Sequence, residues 1–155
     1  RFFRFGFFND AYAIKNHTLE CGFLLVYNWG MEDSIFTKII KGEIPCYKIY
    51  EDEKTMVFLD IAPESMGHTL VVPKVQVDKI YELSDEDYQA LFAAVKKVAK
   101  HMEEVLGART LMKVIGTDVP HAHVHLMPYD EKWQHGVTLN PSEDEMKAMQ
   151  EKLMF

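Results

Sequence analysis

Residues 121–127 read HAHVHLM, three histidines alternating with Ala122, Val124 and then Leu126. Side chains alternate between the two faces of a β-strand. On a strand, His121, His123 and His125 therefore share one face, and the small or apolar residues share the other. A buried face has little use for imidazoles, because each ring nitrogen needs a partner. The chain has seven histidines in all, and His17, His101 and His135 stand alone as structural or surface residues.

Outward from that row, the sequence reads as a short helix, three strands, a long helix, two strands and a last helix. Residues 109–116 (RTLMKVIG) read as the preceding strand. Ser84 opens a helix whose apolar residues Leu91, Val95, Val98, Met102 and Val105 recur at helical spacing, with Gly107 as its stop. Residues 46–50, 55–60 and 68–73 read as three further strands, the last rich in β-branched residues. Asp33 or Ser34 caps a short helix through Lys41, with Ile35, Phe36, Ile39 and Ile40 on its apolar side. Ser142 and Glu145 match a capping box for a last helix over about 142–154. Strands and helices do not alternate as βαβ units. The predicted class is α+β, with a five-stranded antiparallel sheet, one long helix and a short N-terminal helix.

Composition narrows the partners. The 155 residues are 48% hydrophobic and 26% charged, with a net charge of −7. That balance argues against non-specific nucleic-acid or membrane binding, but it leaves room for a nucleotide-sized ligand in a local pocket. Cys21 and Cys46 make no C-x-x-C and no disulfide framework, which fits a reducing, cytoplasmic setting. Residues 1–30 differ in character. They hold six of the ten phenylalanines, none of the nine methionines, and a charge of +1. They read as an extension outside a domain of residues 31–155. A signal peptide fits poorly, because the apolar stretch is short and interrupted by Asn28. An edge strand over 23–27 (FLLVY) is the other reading.

Three readings compete for the histidine row. A zinc site could use a pair of these histidines with His68 or Asp118. However, His121 and His125 lie about 13 Å apart on an extended strand, so one ion cannot gather all three. A solvated polar face is the bland reading. Nucleophilic catalysis is the third: neutral imidazole attacks phosphorus or carbonyl centres, and its neighbours can orient it and bind phosphate oxygens.

HAHVHLM resembles the motif of the histidine triad (HIT) family, and three further stretches resemble the family in the same order. Residues 33–45 (DSIFTKIIKGEIP) resemble its opening helix, 58–61 (FLDI) its nucleoside-contacting strand, and 67–74 (GHTLVVPK) the strand bearing a fourth histidine. The likeness covers about 33–128 and is nearest to the Hint-like branch. It implies that His123 attacks the α-phosphorus of a nucleotide to give a covalent nucleotidyl-histidine, which water hydrolyses. His125 would then contact phosphate oxygens, and His121 and His68 would position the nucleophile. A backbone carbonyl near the first triad histidine would fix the tautomer of His123. Ile35, Phe36, Ile39, Phe58 and Ile61 match positions around base and sugar, and Asp60 matches the acid on the ribose hydroxyls. The apolar set fits an ordinary core equally well, and Asp60 could instead cap a turn before Pro63.

The resemblance also has gaps. The loop before the triad, Gly116-Thr117-Asp118-Val119-Pro120, is short, with Thr117, Asp118 and Val119 where relatives place leaving-group contacts. No residue matches the family's asparagine on the preceding strand. Where some relatives hold structural zinc through C-x-x-C, this chain has Ser34 and Thr37. The expected activity is hydrolysis of a nucleoside phosphoramidate or other adenylated compound, with no cofactor and no metal. The alternatives are dinucleoside polyphosphate hydrolysis, a zinc-dependent hydrolase and a nucleotide-binding regulatory module. The expected partners are a purine nucleotide or its conjugate and a second copy of the chain in a homodimer, with the helix from Ser84 near the interface.

Overall fold

The computed structural model describes residues 32–131 and 133–155. The extension read over residues 1–30, with Cys21 and His17, and Met31 as the first residue of the domain lie outside the described residues.

Among the described residues the chain runs α1 (Ile35–Ile40), β1 (Lys48–Glu51), β2 (Thr55–Leu59), β3 (Thr69–Pro73), α2 (Asp85–Leu106), β4 (Thr110–Lys113), β5 (Val124–Pro128) and α3 (Glu143–Leu153). The sheet order is β1-β2-β3-β5-β4, and every neighbouring pair is antiparallel. This is the α+β fold that the sequence predicts. No helix of the described residues is long and apolar enough to cross a membrane.

All five residues of β2 and all five of β3 are buried, because both faces of the sheet centre are covered. Val57, Leu59, Val71, Val124 and Leu126 face α2 and meet its stripe of Leu91, Ala94, Val95, Val98 and Met102. Met56, Phe58, Leu70 and Val72 form the opposite face with Phe36 of α1. The long helix begins where Ser84 Oγ accepts the Asp87 N–H, and Asp85, Glu86 and Asp87 complement the helix dipole. It stops at Gly107, whose left-handed φ of 69° suits glycine and whose N–H returns to Glu103 O. Gly67 answers a different need. A Cβ there would come within 3.2 Å of Pro128 Cγ and 3.3 Å of Leu106 Cδ1, so the β2–β3 loop could not pack so closely.

Strands β2 and β3 are each one residue shorter than read from sequence, and three other strand boundaries differ by two residues or more. The first strand is Lys48–Glu51 rather than 46–50, because its register with β2 shifts between Lys48 and Tyr50. Strand β4 ends at Lys113 rather than 116, since its partner β5 begins at Val124 and the ladder ends with Lys113 opposite His125. The triad strand is Val124–Pro128 rather than 121–127. Before Val124 the backbone leaves the ladder: Ala122 N–H donates to Val77 O at 2.7 Å and His121 N–H to Val119 O at 2.8 Å. Only His125 of the three histidines lies inside the strand.

Helix α3 starts at Ser142 with both hydrogen bonds of a capping box. It covers the outer edge of β1, where Gln150 Nε2 donates to Lys48 O at 2.9 Å and Phe155 N–H to Ile49 O at 3.3 Å.

Candidate active site

Four histidines meet beside the α1 face: His68 just before β3, His121 and His123 in the approach to β5, and His125 within it. All four are buried, His121 completely. The rings of His123 and His125 are 4.8 Å apart and those of His68 and His125 are 5.1 Å apart.

Their tautomers follow from their partners. A backbone carbonyl only accepts and a backbone N–H only donates. His121 Nε2 lies 2.8 Å from Pro73 O, so it carries the proton, and Nδ1 accepts from Ser34 Oγ at 2.8 Å. His123 Nδ1 lies 2.7 Å from His121 O, so it too is protonated, and a neutral His123 presents its lone pair on Nε2. Glu64 N–H donates to His68 Nδ1 at 3.2 Å, which leaves His68 Nε2 to donate to His125 Nδ1 at 2.9 Å. A neutral His125 then carries its proton on Nε2, a buried atom with no hydrogen-bond partner among the described residues.

The electrostatics favour neutral rings. Burial pushes the His125 pKa down to about 3, with His123, His68 and Lys113 adding to the effect. Burial also lowers His68, against the pull of Asp60 and Glu64, and lowers His121, against its bond to Pro73 O. The arrangement offers one imidazole lone pair at His123 and one unpartnered N–H at His125. Such a pair is chemically able to act as a nucleophile beside a donor for an anionic oxygen.

The expected nucleoside wall is partly assembled. Phe36 sets its ring edge-on to His123, 5.1 Å between centroids, and to Phe58 at 5.6 Å. Ile39 and Val119 pack against the same cluster. Ile35 and Ile61 are exposed, Ile61 at 77%, and neither belongs to the cluster. Thr117 and Asp118 are exposed and bonded to each other at 3.1 Å. Asp60 Oδ1 accepts Ala62 N–H at 2.9 Å, a turn contact, while Oδ2 lies 3.6 Å from His68 Nδ1 and makes no such bond. The ligand atoms of Asp60, His68 and His125 lie within 4.8 Å of one another and could hold a metal ion. Asp118 is not in that group. An ion there would have to displace the hydrogen bond between His68 and His125.

Sequence reading missed a second layer. Lys113, opposite His125 on β4, pairs with Glu64 at 2.8 Å and lies 3.3 Å from His135 Nδ1. Ser34 and Thr37, read from sequence only as a cap and as the places of a zinc-binding pair in relatives, reach His121 Nδ1, and Gln76 accepts from both of them. Cross-strand register and loop geometry bring these residues in, and neither can be read from spacing. A cavity of about 740 Å³ lies beyond Glu64, lined by Ser65, Leu106, Pro128, Trp133 and Leu139, and no triad histidine lines it.

A row of buried imidazoles beside the central strands of a helix-covered antiparallel sheet defines a class of α+β protein rather than one activity. The model for the HIT domain matches residues 41–132, and the chain belongs to the HIT family. It is similar to the protein hit of Bacillus subtilis, 43% identical over 103 residues that cover 63% of this chain and 71% of that protein. It is also similar to the adenosine 5'-monophosphoramidase hnt1 of Schizosaccharomyces pombe, 39% identical over 125 residues that cover 77% of this chain and 94% of that protein. Among solved structures, a HIT-like protein from Bartonella henselae superposes with a TM-score of 0.71 at 28% identity, covering 78% of this chain and 93% of that one.

Proposed function

We propose that this chain hydrolyses nucleoside phosphoramidates, or related adenylated compounds, through a covalent nucleotidyl-His123. The observation that carries the reading is the His123 Nδ1 bond to His121 O, which leaves the Nε2 lone pair free. Its neighbour His125 supplies an unpartnered buried N–H for a phosphate oxygen. The relationship to a protein named adenosine 5'-monophosphoramidase supports the same substrate class.

In the first step His123 Nε2 attacks the α-phosphorus. The P–N bond to the leaving group breaks, and the departing amine keeps the electron pair and takes a proton from solvent. In the second step water attacks phosphorus and gives one proton back to solvent, the bond to His123 breaks and AMP leaves. The lone pair returns to Nε2. His125 N–H bonds the oxygens on which charge develops, while His68 holds His125 in the tautomer that can donate. Phe36, Phe58 and Ile39 wall the base and sugar, and Asp60 accepts from the ribose hydroxyls. The expected ligand is a purine nucleotide or its conjugate. A homodimer would form at the β4 edge and α2, where Met112 is 49% exposed beside Phe92.

The test is AMP release from an adenosine phosphoramidate by the wild type and His123→Ala, both with chelator. Rapid-quench mass spectrometry follows the adenylated enzyme. Expected is chelator-insensitive release with an adduct, both falling roughly 10³-fold or more in the mutant. Release that survives the mutation, or that chelation abolishes, overturns the mechanism.

A further inference from the structure

Ser34, Thr37 and Gln76 enter no step above, yet their hydrogen bonds join His121 to the start of α1 and to the segment after β3. Thr37 N–H donates to Ser34 Oγ at 3.0 Å, the cap of α1. Ser34 O–H must donate to His121 Nδ1, because the proton of that ring sits on Nε2 against Pro73 O. Ser34 N–H meets Gln76 at 3.0 Å, which identifies the facing amide atom as Oε1. Thr37 O–H donates to the same oxygen. Gln76 Nε2 then donates to Glu32 O at 3.0 Å. Ser34 and Thr37 are more than nine-tenths buried and His121 is fully so. A buried network in which every member is satisfied fixes geometry, and one broken member leaves a costly orphan.

We infer that Ser34, Thr37 and Gln76 form a hydrogen-bonded clamp that positions α1 and His121, and through them His123. Helix α1 has six residues, too few to hold helical structure unaided. Its start is tied by the clamp to the segment after β3 and to the approach to β5. Both outputs of the clamp touch the nucleophile. Phe36, carried on α1, packs its ring edge against His123, and the carbonyl of His121 accepts the His123 Nδ1 proton. Hydroxyls stand where some relatives carry a zinc-binding C-x-x-C. Here those hydroxyls are engaged with a helix cap, an imidazole and an amide, so hydrogen bonds tie helix to triad. The three are positioning residues, since none touches the reacting atoms. The consequence for catalysis rests on the proposed role of His123.

The test is the double variant Ser34→Gly with Thr37→Val. Both changes are needed, because Thr37 Oγ1 lies 3.3 Å from His121 Nδ1 and could replace the serine. Glycine remains an acceptable N-cap and valine keeps the shape of threonine. Two readouts are taken: the His121 Nδ1 resonance by ¹⁵N NMR, and the rate of adduct formation in the first turnover. Expected are a folded protein, a downfield Nδ1 shift as the lone pair loses its donor, and adduct formation slowed about tenfold to a hundredfold. An unmoved Nδ1 resonance, or adduct formation at the wild-type rate, overturns the clamp. Should the double variant not fold, Gln76→Met removes only the far anchor and is judged by the same rate. A wild type that forms no adduct overturns the proposed function instead, and the NMR arm still decides the clamp.

Discussion

Helices α1 and α2 begin alike, each with a serine whose hydroxyl accepts an N–H three residues on, and they are held in opposite ways. Helix α2 has 22 residues and a continuous buried stripe on the apolar face of the sheet. It is held by area, and its cap Ser84 is exposed and bonds only within its own first turn. Helix α1 has six residues and one large buried apolar anchor, Phe36. It is held by polar bonds that reach 87 residues along the chain, from Ser34 to His121. The difference separates stability from chemistry. One side of the sheet maintains the fold, and the other shapes the imidazoles that the fold presents.

The largest effect expected from that division lies on the α2 side. Leu91→Ala should remove about 2–5 kcal/mol of stability, the cost of a cavity in a fully buried stripe. Phosphoramidate turnover per folded molecule should be unchanged. Urea denaturation and kcat measured on the same sample check both halves. A catalytic loss at full stability would break the division.

The next effect belongs to the α1 side and is driven by pH. Burial holds His68, His121 and His125 below the ordinary histidine value of 6.5, His125 at about 3. As pH falls below 6.5 the unfolded chain takes up protons that the folded chain refuses, so the unfolded state binds more protons in this window. Stability therefore falls from about pH 6.5 towards 3, by up to about 1.4 kcal/mol per pH unit for each proton refused. Urea midpoints between pH 7 and 5 isolate the histidines, because carboxylates titrate lower. A flat profile there would mean that the folded imidazoles charge normally, and the neutral-ring geometry would fail with it.

How far each side is legible in the sequence follows from the same contrast. Leu91, Val95, Val98 and Met102 repeat at helical spacing, and Ser84 and Gly107 bracket them, so α2 can be read from one contiguous stretch. The five strands and their α+β order are legible for a similar reason, with errors where pairing decides the boundary. Lys113 ends β4 only because β5 begins at Val124, which no local pattern announces. The imidazole row shows in the alternation of HAHVHLM, although only His125 proves to be inside the strand. The partners that fix its tautomers do not show. Pro73 O and Glu64 N–H belong to ordinary residues until the β2–β3 and β3–α2 connections fold back over the site. Ile61 and Thr117 come from family likeness alone. Asp118 reads also as a zinc ligand, and Ile35 also as part of the apolar side of α1, where it proves 49% exposed. The described structure leaves all four outside the apolar cluster around Phe36.

Phe36→Leu tests whether the α1 anchor acts by volume or by its ring. Leucine keeps an apolar side chain of similar size, so the stability loss should stay below about 1.5 kcal/mol. The ring edge against His123 disappears, and such aromatic contacts are worth about 0.5–1.5 kcal/mol. The expected result is a fall in kcat/KM of up to about tenfold with a melting temperature lowered by no more than about 6 °C. Wild-type kcat/KM would show that any apolar residue holds His123 equally well.

The smallest effect gives the sharpest comparison, because it sets one serine cap against the other. Ser84→Ala removes an exposed cap whose only hydrogen-bond partners are within its own first turn, to Asp87 N–H at 3.1 Å and Asp87 Oδ2 at 2.7 Å. Its loss should cost about 1 kcal/mol, the usual value for a cap replaced by alanine, and leave adduct formation untouched. Ser34→Ala combined with Thr37→Val removes the same kind of cap and also both hydroxyls within reach of His121 Nδ1, so the pair should cost at least as much stability and slow the first turnover as well. Each variant needs a denaturation curve and a rapid-quench trace. If both serines lose similar stability and neither slows adduct formation, α1 is only a smaller α2 and its polar ties are structural. If only the Ser34 and Thr37 pair slows the chemistry, the two helices differ in what their caps are bonded to, since the capping itself is the same in both.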